Sequence, residues 1–302
     1  MDGKTATLRM ARAVNESGAS SSYLSQEEAY GKLDEAAVAF ARDTMTITNR
    51  TSIAVSAGVQ AYDLPPDFLG LYLKTARSRR FFVKYRTAAG DDFFAFLTTR
   101  EKIEYANQTE AVEAASAFAI TDKQTAPSRI TGTATGASVA ENGECTLAAS
   151  GADFSGVFPR DIVRNTTDAA RGIVLSRTDA THLVTALFSG TRNNWSAGDG
   201  FLIQSSAVKQ ILLYAPPQND GDAITVDYLS LPSPMYSEIS VWRFAEHLCP
   251  AVCELAAALF LEDKKEYPAA QLLRAKYEAA VRKARTEIGY QKLQGGLYPW
   301  RT

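Results

Sequence analysis

The sequence predicts an α+β chain interrupted by an inserted all-β domain, either a barrel or a sandwich. Three observations predict it. Amphipathic helical patterns occupy both ends of the chain, and alternating strand patterns follow the first helices and return before the last ones. Between them, from about 125 to 205, the composition shifts to Gly, Thr, Ser and Ala, with turn-then-strand units at regular spacing. The expected domains are a discontinuous body, 1–124 and 206–290, the β module, 125–205, and an extended C-terminal tail, 291–302.

Taken in order, Thr7 to Asn15 has helical character and a Ser- and Gly-rich break follows it. Ser25 with Glu28 forms a capping box, after which Leu33, Ala36, Ala37, Phe40 and Ala41 recur at helical spacing to about Met45. Ile53 and Val55 share one face before the Ser56-Ala57-Gly58 turn, and Tyr62 and Leu64 share one face after it, which reads as a β-hairpin. Pro65 and Pro66 cannot donate to a ladder, so pairing must end at Leu64. Leu69 to Leu73, Phe81 to Tyr85, Phe93 to Leu97 and Ala117 to Thr121 are strand candidates, with a short helix from Thr99.

Within the module, Pro159 to Val163 and Gly198 to Ile203 are strand units flanking Gly172 to Leu175 and His182 to Val184. Lys209 to Tyr214 and Ile224 to Leu229 resume the earlier pattern around a Pro216-Pro217 turn. Helices over Arg243 to Glu262, begun or kinked at Pro250, and Pro268 to Ile288 form an αα-hairpin with the stripe Leu272, Leu273, Lys276, Tyr277, Ala280, Val281 and Ala284 as its packing face.

A chain of 302 residues, 46% apolar and 22% charged, buries a real core without disulfides. Its net charge of −2 lacks the basic excess of a general phosphate-backbone binder. Three cysteines exclude a secreted disulfide framework, and the opening MDGKTATLRMAR carries no signal-peptide pattern, so folding in a cytoplasm is expected. The five Asn-x-Ser/Thr triplets, at Asn15, Asn49, Asn107, Asn165 and Asn194, then have no glycosylation role. No apolar run reaches bilayer length.

Catalytic chemistry finds little support. His247, Cys249 and Cys253 are the one cluster of metal-ligand types, but His247 falls on another helical face and a fourth ligand is missing. Neither a nucleophile elbow nor a phosphate-cradling glycine loop is present. The carboxylate pairs Asp91-Asp92, Glu27-Glu28 and Glu262-Asp263 sit at turns or element ends, where charge is ordinarily solvated. Arg77, Arg79, Arg80, Lys84 and Arg86, interleaved with Phe81, Phe82 and Tyr85, read as a protected strand edge before a single-strand platform. No enzyme, cofactor or metal site is expected.

Three segments in order carry a family resemblance: Val59-Gln60-Ala61-Tyr62-Asp63-Leu64-Pro65-Pro66-Asp67-Phe68, Val226-Asp227-Tyr228-Leu229-Ser230-Leu231-Pro232, and Cys253-Glu254-Leu255-Ala256-Ala257-Ala258-Leu259. Over about residues 1–120 and 208–290 the chain resembles the head-to-tail adaptor, or connector, proteins of tailed bacteriophages. Through Val157 to Asn165 and Asn194 to Asp199, the insert is similar to a β module of phage structural proteins. The resemblance implies a helical bundle with a small antiparallel β portion, in a virion structural protein assembled in the host cytoplasm. It implies a ring, commonly of twelve copies, docked beneath the portal protein and linked to a tail tube, nozzle or hub protein. Duplex DNA would pass through without sequence-specific binding, and no membrane is involved. Tail residues Leu297, Tyr298, Trp300 and Arg301 are the expected partner contacts, since Tyr and Trp are rigid interface anchors. The alternative is a tail- or capsid-associated protein whose insert binds capsid or glycan, with Trp195 and Asn193-Asn194 as its stacking and hydrogen-bonding surface.

Overall fold

The computed structural model describes residues 1–15, 23–72, 82–106, 114–123, 129–205 and 208–295. Helices α1 (Gly3–Ala13) and α2 (Gln26–Thr44) come first. Strands β1 (Thr48–Ala54), β2 (Ala61–Asp63), β3 (Phe68–Leu71), β4 (Phe82–Arg86) and β5 (Asp92–Leu97) follow, then α3 (Arg100–Ala106) and β6 (Ala117–Asp122). Next come β7 (Arg129–Thr133), β8 (Cys145–Ala148), β9 (Ile162–Asn165), β10 (Ala170–Arg177), β11 (His182–Phe188) and β12 (Gly200–Gln204). The chain returns through β13 (Lys209–Leu213) and β14 (Ala223–Ser230) to α4 (Cys249–Asp263) and α5 (Tyr267–Gly295). Two compact units result: one of residues 47–126 and 207–231, the other of 1–46, 127–206 and 232–302.

The first unit is an eight-stranded sheet ordered β1-β14-β4-β5-β6-β13-β2, with β3 also on β14. Its core gathers Val83, Tyr85, Phe118, Ile211, Ile224 and Val226. Two buried tyrosines are tied to acids: Tyr85 donates to Asp222 at 2.6 Å and Tyr228 to Asp67 at 2.9 Å. The pair β5–β6 is parallel, and α3 lies in the crossover that a parallel pair requires.

The expected hairpin around Gly58 does not form. β1 pairs with β14 and β2 with β13, at opposite ends of the strand order. Alternation marks which face a strand buries, and it is silent on which strand lies beside it. The turn is held instead by Tyr62, whose hydroxyl accepts from the Ser56 amide at 3.1 Å and donates to the Val59 carbonyl at 2.8 Å. The proline stop holds: the Leu64 amide makes the last bond, to the Lys209 carbonyl, and the chain turns at Pro65 into β3.

The second unit joins four helices to a six-stranded sheet ordered β7-β12-β9-β10-β11-β8. Asp2 caps α1 through the Thr5 amide, and Ser25 and Glu28 form the expected capping box on α2. Ten of the fifteen residues of α4 are buried, including its Ala256-Ala257-Ala258 run, so this helix is apolar on nearly every side and central to the helical layer. In α5, Ala270, Leu273, Tyr277, Val281 and Ala284 form the buried stripe, whereas Leu272 is exposed.

Past β7 the sheet curls on itself. The Ala134 amide bonds the Asp199 carbonyl beside β12, and the next amide, Thr135, bonds the Ala148 carbonyl at the end of β8. Leu147, Phe154, Val163, Val174, Leu183, Trp195 and Phe201 fill the interior. Trp195 is 1% exposed and donates its indole N–H to the Thr185 hydroxyl at 2.9 Å.

A helical bundle with a small antiparallel β portion is therefore not the architecture. Among the described residues, fourteen strands build an eight-stranded and a six-stranded sheet, two barrel-like assemblies, beside five helices. The helices are long and continuously patterned. The strands are short, and their partners lie far off in sequence, such as Ile53 opposite Ile224. Isolated strand candidates cannot be summed into sheets without knowing those partners.

Candidate functional site

The one cluster of metal-ligand residue types is dispersed. His247 turns to Glu287, 3.2 Å away, while Cys249 and Cys253 are buried in α4, the latter against the Met1 sulfur. Among the described residues no group of three His, Cys, Asp or Glu side chains is placed to hold a metal. Burial pushes the Cys253 thiol up to about 12. The carboxylate pairs bind cations: Asp92 meets Lys84 at 2.7 Å, Asp263 meets Lys32 at 2.7 Å, and Glu262 takes a two-point contact from Arg274.

Of the basic strand cluster, Lys84 and Arg86 share Asp92, and Tyr85 points into the core. Arg77, Arg79, Arg80 and Phe81 lie outside the described residues, as do the expected contacts Leu297, Tyr298, Trp300 and Arg301. Trp195, the stacking residue of the alternative glycan reading, has no free face, because it is the largest fully buried side chain of its sheet's core.

A groove of about 820 Å³ lies in the helical and six-stranded unit, between the first half of α2 and the outer face of β9 and β10. Its sheet wall follows from strand alternation: Val163 and Gly172 point inward, so Ile162, Arg164, Arg171 and Ile173 point out. Register sets Arg171 opposite Arg164 and Ile173 opposite Ile162. Ile162 is 43% exposed. Phe188 and Tyr236, with ring centroids 6.3 Å apart, also line the groove.

The helical wall comes from α2. Arg171 reaches Glu27 at 2.8 Å, and the Ser189 hydroxyl also donates to Glu27. Burial pushes the Glu28 carboxyl up, but hydrogen bonds from Ser25 and Lys264 outweigh it and leave the group below its ordinary range. Burial likewise opposes the Lys32 ammonium, yet Asp263 and Glu35 hold it protonated, with its pKa raised. At Gly31 an added Cβ would meet nothing within 4 Å. A glycine inside a helix costs about 1 kcal/mol against alanine, and here it deepens the groove.

Below the groove the β module is fastened to α2. Arg160, held at φ 79°, pairs with Asp34 and donates to the Pro232 carbonyl at 2.9 Å, and the Met235 amide donates to Asp34 at 3.3 Å. Burial raises the Asp34 carboxyl while Arg160 pulls it down. Tyr30 of α2 packs on Phe188 of β11 at 6.1 Å between centroids.

The sequence did not assemble this groove, although two signals were there: an outward Ile162 on an otherwise regular barrel strand, and the mid-helix Gly31. No protein-family model matches the chain, and no curated protein matches it. No described helix is long and apolar enough to cross a membrane.

Proposed function

We propose that the chain is a structural virion subunit, a head-to-tail adaptor that assembles as a ring beneath the portal protein and links it to the tail around the DNA channel. The observation that carries an assembly role is the exposed aromatic surface of β5. Phe94 and Phe96, on one face of the strand, are 54% and 44% exposed, while Phe93 and Leu97 are partly exposed on the other face, with the buried Ala95 between them. Large apolar side chains grouped in this way mark surfaces that another protein covers. The choice of adaptor among assembly roles rests on the ordered segments, which fall on β2 and its proline turn, on β14 and on α4.

In this reading the ring numbers about twelve copies, its further partner is a tail tube, nozzle or hub protein, and duplex DNA passes without sequence-specific contact. A net charge of −2 suits a channel that must release DNA. The test is co-purification with the portal protein. Phe94→Ser with Phe96→Ser is expected to reduce capture at least tenfold while the melting temperature stays within a few degrees; undiminished capture would overturn the role given to β5.

A further inference from the structure

We infer that the groove between α2 and the β9–β10 face receives the C-terminal segment of a second copy of this chain, Leu297 to Arg301, so that subunits join head to tail. The proposal deepens the assembly role above and rests on it only for closure into a ring.

The geometry of α5 excludes the chain's own tail. Near the groove, Lys264 lies 3.4 Å from Glu28 and Lys32 lies 2.7 Å from Asp263, so α5 begins beside the first half of α2. It then runs along α2, with Tyr277 donating to the Asp43 carboxylate at 2.6 Å and Arg285 to the Asp43 carbonyl at 2.6 Å. Its 29 residues carry the chain about 42 Å from that start at 1.5 Å per residue. The seven residues after Gly295 span at most about 24 Å when fully extended. They cannot return to the groove they started from. A neighbouring copy's groove is open to them.

The chemistry of the two parts matches. Ile162 and Ile173, backed by the buried Phe188, give an apolar bed for the Trp300 and Tyr298 rings, and 820 Å³ lies within the roughly 300–1,000 Å³ of clefts that enclose a compact organic group. Arg164 and Arg171 stand directly opposite each other, an unfavourable pairing that Glu27 relieves on one side. An aromatic face stacked on the Arg164 guanidinium relieves it on the other. On the α2 wall the half-exposed Glu28 and Glu35 carboxylates, each already paired with a lysine, keep lone pairs toward solvent that the Arg301 guanidinium would share. A contact between two different surfaces of one chain propagates from copy to copy and closes as a ring when the rotation permits.

The experiment titrates a labelled peptide of residues 294–302 with the chain ending at Gly296, reading fluorescence anisotropy. Saturable binding is expected, weakened at least tenfold by Gly31→Leu, which fills the groove from a site with open space and a favourable helix propensity. Trp300→Ala in the peptide is expected to weaken it similarly. Light scattering of the full chain should show self-association that both the Gly31→Leu and the tail-less forms lose. Absence of peptide binding, equal binding by the Gly31→Leu form, or a full chain that stays monomeric while the peptide binds would each overturn the proposal. Capture of the tail-less chain by the portal protein reports on the adaptor reading separately.

Discussion

At the cysteines, packing decides what residue type and spacing alone leave undecided. His247, Cys249 and Cys253 are spaced like fragments of a metal site, yet all three of the chain's thiols are buried and none is disulfide-bonded. The Cys253 thiol at about 12 carries almost no thiolate at neutral pH, and the thiolate is the reactive form. Native protein is therefore expected to react with fewer than one equivalent of an aromatic disulfide reagent at pH 8, and with three after denaturation in guanidinium. Fast reaction of the native chain would contradict the burial. Trp195 makes the same point from the apolar side: its sequence leaves open both a core aromatic and a stacking surface, and its indole N–H bonded to Thr185 places it in the core.

At the scale of elements, legibility followed the range of the interactions. The capping box at Ser25 and Glu28, the α2 stripe and the proline stop after Leu64 depend on neighbours a few residues away, and each was readable from the sequence. The pairing of β1 with β14 depends on segments about 170 residues apart, so the pattern around Gly58 suggests a hairpin that the fold does not form, and local patterns understate the sheets. The groove escaped for a related reason, since α2 and β9 meet through long-range contacts that no local pattern announces. Chief among them is Arg160 with Asp34, a buried ion pair that joins the β module to the helix. Removing one member of such a pair strands the other. Arg160→Ala is expected to lower unfolding stability in urea by about 3 kcal/mol, whereas a change below about 0.5 kcal/mol would mean the module does not depend on this tie.

For the whole molecule, the described surface offers docking features in both units. An exposed aromatic strand face lies in one, and a groove between helix and sheet lies in the other. The barrel-like sheets give each feature a rigid backing, which favours recognition by fixed surfaces over recognition by adaptable loops. In the proposed adaptor role, such surfaces would build a ring on the portal. Electron microscopy of the full chain mixed with the portal protein tests it most directly. Class averages are expected to show a closed ring of about twelve copies stacked coaxially on the portal. Portal particles without added density, beside a chain that remains monomeric at every concentration, would contradict it.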